Sequence, residues 1–178
     1  MMTKQTTLAA VGSLIAMLVV IVPAGLATSN TRAELLGGTS SKEELIRRFV
    51  DAISTNDGHR LRTLQVDENE YADIILPGAV PEGQPMRKWP EDVRRYFARE
   101  FIQKSQMVGA NLIDTYKGHR YEIASMAFEG GTKRYANHFV YVQLRLQLKD
   151  ETGTERALAT GSIVEIGGQY KFMSYLPD

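Results

Sequence analysis

Three histidines and two glutamates are the side chains of this sequence whose types suit proton transfer at neutral pH. His59, His119 and His138 are its only histidines, and no two of them have the spacing of metal ligands on one helix. Glu122 and Glu165 fall within predicted strands, where a charged side chain usually faces solvent. The sequence therefore predicts no catalytic residue, no metal site and no cofactor.

His138 is the histidine best placed to line a pocket. It begins a predicted strand in which every second residue up to Leu148 is apolar, so its ring falls on the inner face of the sheet. The alternative is a hydrogen-bonded histidine at a strand end, which we favour from sequence. If His138 does line a cavity, we expect four further residues to line it too: Tyr71, Tyr96, Thr160 and Ser162.

The other face of the predicted sheet carries an apolar and aromatic patch. It forms if the last segment of the chain pairs beside the strand that starts at His138. An exposed patch of this kind often marks a partner surface. The residues of this predicted partner surface are Phe139, Tyr141, Met173 and Tyr175.

The elements that must position these side chains follow from hydrophobic periodicity. Capping boxes at Ser41 and Asp67 predict two helix starts, and Pro90 begins a long helix of about 23 residues. From His119 the apolar period changes to two, with turn residues at three points, which predicts four or more antiparallel strands. This order predicts an α+β fold, with N-terminal helices and one long helix packed on a curved sheet. The predicted buried stripe of the long helix is Val93, Phe97, Phe101, Val108 and Leu112.

This arrangement resembles the nuclear transport factor 2-like superfamily of cone-shaped α+β domains, over about residues 41–177. The opening helix Glu43–Ile53, the segment Asn56-Asp57-Gly58-His59 and the closing hairpin Gly161–Phe172 carry the resemblance. The superfamily includes isomerases, cyclases, dehydratases, transport adaptors and dimerisation modules, so the fold alone does not choose a function. The resemblance implies a homodimer formed through the sheet face.

The sequence departs from the ketosteroid-isomerase pattern within that superfamily. Such an enzyme needs a strand-borne carboxylate as base, whereas Asp150 falls in a predicted turn and Asp178 ends the chain. We therefore expect a binding domain in preference to an enzyme. The alternatives are an isomerase, cyclase or dehydratase that uses His138 with a tyrosine, and a structural dimerisation module.

Residues 1–27 have the pattern of an export signal. Lys4 is the only charge there, and an apolar run from Leu8 to Val22 is followed by Pro23. We predict a signal peptide over 1–27, a flexible tether over 28–40 and the domain over 41–178. The alternative is an anchor in the inner membrane through residues 8–26. Either outcome places the domain in the periplasm or outside the cell.

Overall composition narrows the class of partner. Lysine and arginine number 21, and so do aspartate and glutamate, so no net charge favours nucleic acid. The chain has no cysteine, which excludes a disulfide scaffold and a thiol nucleophile. We therefore expect an exported, non-catalytic domain that binds a small apolar ligand or a protein partner, with no nucleic acid and no membrane contact beyond the N-terminal segment.

Overall fold

The structure, a computed structural model, describes residues 34–177. The predicted signal peptide or anchor, and the first part of the predicted tether, lie outside the described residues. Within them, helices pack against two antiparallel sheets, so the predicted α+β class is confirmed. None of the helices between residues 34 and 177 combines the length and the apolar character needed to cross a bilayer.

Both predicted N-cap residues begin helices, but only Asp67 forms a full capping box, because the Glu44 carboxylate accepts from the Ser40 hydroxyl at 3.0 Å. The Ser41 hydroxyl accepts a hydrogen bond from the Glu44 amide at 3.1 Å, and Asp67 and Glu70 each cap the other's amide at 2.8 Å. The helix that Asp67 caps continues through a π-helical turn, Tyr71–Ile75, and ends at Gly78. The helices are α1 (Lys42–Ser54), α2 (Gly58–Thr63), α3 (Glu68–Glu70), α4 (Leu76–Gly78) and α5 (Glu91–Tyr116).

Seven strands form where the sequence predicted four or more. The run that starts at His138 is interrupted at Gln143, whose φ of 59° leaves the extended region. Its side chains still alternate as predicted, with buried residues at every second position up to Asp150. The strands are β1 (Tyr121–Phe128), β2 (Thr132–Arg134), β3 (Phe139–Tyr141), β4 (Leu144–Asp150), β5 (Glu155–Thr160), β6 (Ile163–Ile166) and β7 (Gln169–Phe172).

The strands form two sheets, and the chain passes directly from one sheet to the other at two points. The first sheet has the order β1-β4-β5, and the second has the order β2-β3-β6-β7. Because β3 continues into β4, and β5 into β6, the bends at 142–143 and 161–162 carry the chain from one sheet to the other. The predicted curvature of the sheet is concentrated at these two bends.

Three aromatic rings fill the interior between α1, α5 and the sheets. Phe49 lies 4.8 Å from Phe172 and 5.5 Å from Tyr175, and the last two rings are 5.0 Å apart, between centroids. The Tyr175 hydroxyl donates a hydrogen bond to the Leu61 carbonyl at 2.7 Å. Tyr175 is only 1% exposed, so its predicted place on a partner surface was wrong. The chain turns inward after β7 instead of pairing beside β3.

The buried face of α5 differs from the predicted stripe. Phe97, predicted to be buried, is 47% exposed. Phe101, Val108 and Leu112 of the predicted stripe are partly buried. Three small residues, Ala98, Ser105 and Gly109, lie on the fully buried face and allow α5 to approach the core closely. A Cβ atom added at Gly109 would lie 3.0 Å from Leu61 Cδ2 and 3.1 Å from a Tyr175 ring carbon. The buried residues of α5 are Ala98, Ile102, Ser105, Gly109, Ile113 and Tyr116.

A buried ion pair ties α3 to β7 and to the segment before α1. Lys171 Nζ lies 2.8 Å from Glu70 Oε2, with both side chains almost fully buried. The other oxygen of Glu70 accepts a hydrogen bond from the Leu36 amide at 2.7 Å. Leu35 is buried, and Thr39 forms a β-bridge with Tyr170. The folded domain therefore begins before Ser41, and residues 34–40 are not the free tether that we predicted.

Gly161, at the second bend, has no room for a side chain. A Cβ atom there would lie 2.5 Å from the carbonyl oxygens of Ser174 and Leu176. We expect Gly161→Ala to lower the free energy of unfolding by roughly 3 kcal/mol, because these backbone atoms cannot move aside. Denaturant unfolding followed by circular dichroism measures the change.

Gly58→Ala is the matched control for this prediction. The added Cβ would lie 3.7 Å from its nearest neighbours, and Gly58 is the first residue of α2. Alanine there should leave stability unchanged or raise it by up to about 1 kcal/mol. Equal stability of the two variants would show that the bend at Gly161 is not tightly packed.

Candidate functional site

The five residues predicted to line one pocket are dispersed. Tyr71 stacks on Phe101 at 4.5 Å between ring centroids, and Tyr96 is 62% exposed on α5. Thr160 donates its hydroxyl hydrogen to the Tyr175 carbonyl at 3.3 Å. Ser162 Oγ accepts a hydrogen bond from the Gln143 amide at 3.4 Å. These residues contact different elements, and with His138 they do not form a common cavity.

His138 is buried in a hydrogen-bonded network just before β3. Its side chain is 3% exposed, its Nδ1 lies 2.7 Å from Asn137 Oδ1, and its ring stacks on Tyr135 at 4.9 Å. Because Asn137 Nδ2 donates to the Ile74 carbonyl at 2.9 Å, the amide oxygen faces the ring, which assigns the proton to Nδ1. Burial lowers the pKa of His138 from 6.5 to about 4. The ring is therefore neutral at pH 7 and a weak base.

The predicted partner surface is largely covered. The Lys42 ammonium lies 3.9 Å from the Tyr141 ring centroid, and the Tyr141 hydroxyl donates to Glu165 at 2.7 Å. Burial and the adjacent carboxylate both raise the pKa of Tyr141 well above its usual value. Phe139 lies under the Arg134 guanidinium, 5.3 Å from ring centroid to guanidinium carbon. Met173 packs against a second hydrophobic cluster, formed by Leu35, Val66, Ile75, Ile102, Val164 and Ile166. These residues do not make one open apolar patch.

A large groove lies between α1 and β1, on the outside of the filled interior. Its volume is about 930 Å³, within the range of ligand sites in proteins. Val50 from α1 and Ile123 and Met126 from β1 supply its apolar lining, and Met126 is 42% exposed. We call this feature the α1–β1 groove.

Backbone contacts fix the end of the groove where α1 finishes. The Gly118 amide donates a hydrogen bond to the Ser54 carbonyl at 3.0 Å, which joins the last turn of α1 to the start of β1. Glu151 accepts from the Arg120 amide at 2.9 Å and lies 3.1 Å from His119 Nδ1. Hydrogen bonds from its own amide, from the Arg120 amide and from His119 lower the pKa of Glu151. This end of the groove is therefore held by charged and backbone groups.

Charges of both signs surround the apolar lining. Asp51 pairs with Arg60, outside the groove. The remaining charged residues of the groove, Glu43, Arg47, Arg120 and Glu122, make no ion pair with any residue of the described range 34–177. An apolar molecule can therefore lie on the lining while a polar group reaches a charged side chain at the rim.

The described residues show no arrangement suited to a metal ion. Between residues 34 and 177, no three histidine, aspartate or glutamate side chains come together as a possible metal site. The serine and threonine hydroxyls of the groove donate to backbone carbonyls, Ser54 to Val50 at 2.7 Å and Thr55 to Asp51 at 2.8 Å, while His119 lies against Glu151.

A smaller pocket of about 520 Å³ lies beside the buried ion pair of Lys171 and Glu70. Gln65 lines it, and neither polar atom of its side chain has a hydrogen-bond partner among the described residues. Both atoms are also closed off from solvent. A molecule in this pocket therefore cannot reach the Gln65 amide in the observed conformation.

Sequence reasoning missed the α1–β1 groove because β1 contains a bulge. Its register with β4 places Ile123 opposite Leu148 and Ser125 opposite Gln147, so Ala124 has no partner. The apolar residues of β1 therefore change phase, and Ile123 and Met126 share a face although they are three positions apart. That phase change is the signal in the sequence that could have identified the groove.

Comparison with known proteins found no matching family model, no matching curated protein and no matching solved structure. The candidate site therefore rests on the geometry of the described residues.

The lowered pKa of His138 makes stability depend on pH. Between pH 6.5 and about 4 the unfolded chain binds a proton at His138 that the folded protein does not bind. The free energy of unfolding should therefore fall by roughly 2–3 kcal/mol as the pH drops through this window. Denaturant unfolding of the parent and of His138→Asn across this range measures the effect.

In His138→Asn, a side-chain amide, which does not titrate, replaces the ring nitrogen that faces Asn137. Most of this pH dependence should therefore disappear. His59→Asn is the control, because His59 is exposed and should keep the parental profile. An unchanged profile in His138→Asn would show that other groups cause the acid sensitivity.

Proposed function

We propose that this chain is a non-catalytic binding domain that holds a small apolar ligand in the α1–β1 groove. The observation that carries the proposal is the apolar lining formed by half-buried Ile123 and exposed Met126 in a groove of about 930 Å³. Exposed apolar surface of this kind is unfavourable in water unless something covers it. The interior that would hold a ligand in an open cone is filled by Phe49, Phe172 and Tyr175.

An enzyme of the isomerase, cyclase or dehydratase kind has less support. That alternative relied on His138 with a tyrosine as acid and base. Tyr135 does stack on His138, but burial lowers the pKa of the histidine to about 4, and its Nδ1 is held by Asn137. A base this weak is poorly matched to proton abstraction at neutral pH.

Export and superfamily membership belong to the same proposal. Lys4 followed by the apolar run Leu8–Val22 supports a signal peptide or an inner-membrane anchor. Short helices, one long helix and bent antiparallel sheets, in that order, support a nuclear transport factor 2-like domain. On this proposal the ligand is met in the periplasm or outside the cell.

Dye binding tests the groove. The probe is anilinonaphthalene sulfonate, displaced by dodecanoate, and the variant is Met126→Glu in the full chain. A carboxylate on the apolar lining should weaken probe binding by at least about tenfold, because bound probe would desolvate the charge. Fluorescence titration gives the dissociation constants, and circular dichroism checks that the variant is folded.

Met107→Glu is the matched control, since Met107 is 70% exposed on α5 and does not line the groove. It makes the same chemical change away from the site, so it should bind the probe as the parent does. The proposal fails if the parent does not bind the probe, or if both variants bind it with parental affinity.

A further inference from the structure

The outer edge of β1 is open along its whole length. In the described part of the chain β1 pairs only with β4, and no loop bridges to its other side. From Ala124 to Ala127 every residue is exposed. An exposed edge strand presents unpaired N–H and C=O groups to another chain, and proteins usually protect such edges with lysine, proline or a β-bulge. β1 contains neither lysine nor proline and its only charge is Glu122, so the bulge at Ala124 is the one such device that it carries.

Because of the bulge at Ala124, the large apolar side chains of β1 lie on one face, and its polar or small side chains lie on the other. Residues on the inner face lie opposite buried residues of β4, and residues on the outer face lie opposite exposed ones. All of the large apolar side chains fall on the inner face. These are Tyr121, Ile123, Met126 and Phe128, while Glu122, Ser125 and Ala127 fall on the outer face.

We propose that β1 pairs antiparallel with β1 of a second copy, about a two-fold axis between Ala124 and Ser125. In this register each inner residue lies opposite an inner residue. Tyr121 faces Phe128 of the partner subunit, and Ile123 faces Met126 of the partner subunit. Such aromatic and aliphatic cross-strand pairs stabilise a sheet.

Charge supports the same register. Just outside the strand, Arg120 lies opposite Glu129 of the partner subunit, and the two-fold axis repeats this pair at the other end. Arg120 is exposed and has no ion pair among residues 34–177, while Glu129 already contacts Arg145 at 2.9 Å. Two pairs of opposite charge therefore flank the paired strands, and no like charges face each other directly.

Neighbouring registers lack this match. Moving the axis onto Ala124, a shift of one residue between the strands, places Ile123, an inner residue, opposite Ser125, an outer one. Moving it onto Ser125 places Ile123 opposite Ala127, which is also an outer residue. Either change sets large apolar side chains against small or polar ones, so the pattern of β1 selects a single register.

Pairing through β1 differs from the dimer that the resemblance implied, which used the sheet face. It also affects the proposed binding site, because Ile123 and Met126 line the α1–β1 groove. The grooves of the two copies would join across the axis, and each copy would add these two residues to the other's site. The pairing itself does not rest on the ligand proposal and is measured without a ligand.

Disulfide cross-linking tests the register, because the chain has no cysteine of its own. Glu122 and Ala127 of the partner subunit lie directly opposite in the proposed pairing, about 5 Å apart between Cβ atoms. Co-expressed Glu122→Cys and Ala127→Cys chains should therefore form a covalent dimer on oxidation, as judged by non-reducing electrophoresis. Neither variant alone should do so, because its two cysteines are five residues out of register.

A second test uses mass in solution. Ala124→Lys places two ammonium groups beside the axis, and the β1–β4 ladder stays intact because Ala124 has no partner in β4. Light scattering of the full chain should give a dimer for the parent and a monomer for Ala124→Lys. Ala157→Lys, an exposed position on the opposite edge strand of the same sheet, should remain dimeric.

A monomeric parent, or a dimer that persists in Ala124→Lys, would overturn the inference. A dimer held through residues 1–33 would give the second result. The dye titration is read separately, so loss of the ligand proposal would leave this result unaffected.

Discussion

The packing of Phe49, Phe172 and Tyr175 fills the interior of this fold and therefore limits where a ligand can bind. These rings come from α1, β7 and the C-terminal segment, and together they occupy the space between α5 and the sheets. Two hydrogen bonds fix Tyr175: its hydroxyl donates to the Leu61 carbonyl and its backbone amide donates to Ser105 Oγ, each at 2.7 Å. Because deleting a buried aromatic ring costs about 3–5 kcal/mol, this cluster is a major part of the stability.

Because the interior is filled, the proposed binding surface lies on the outside of the domain, in the α1–β1 groove. Helix α1 gives Phe49 to the core and Val50 to the α1–β1 groove, so one helix supports both features. Strand β1 lies at the edge of its sheet, and the bulge at Ala124 turns Ile123 and Met126 to the same face. The proposed ligand site and the proposed pairing surface therefore both depend on the geometry of one exposed strand.

Local features of this fold were predictable from sequence, and long-range ones were not. The caps at Ser41 and Asp67 and the alternation from His138 to Leu148 depend on neighbouring residues, and they were predicted correctly. Part of the inner face of α5 was missed because Ala98, Ser105 and Gly109 are buried there, and a search for large apolar side chains overlooks small residues. The position of Tyr175 depends on residues more than a hundred positions away.

Methyl NMR of methionine tests the central claim most directly, because methionines lie both in the groove and away from it. The claim is that an apolar ligand binds in the α1–β1 groove and not in the interior. When dodecanoate is added to methyl-labelled protein, the Met126 signal should shift and saturate, while Met173, packed in the second cluster, should stay unchanged. A saturating shift at Met173 with Met126 unmoved would contradict the account.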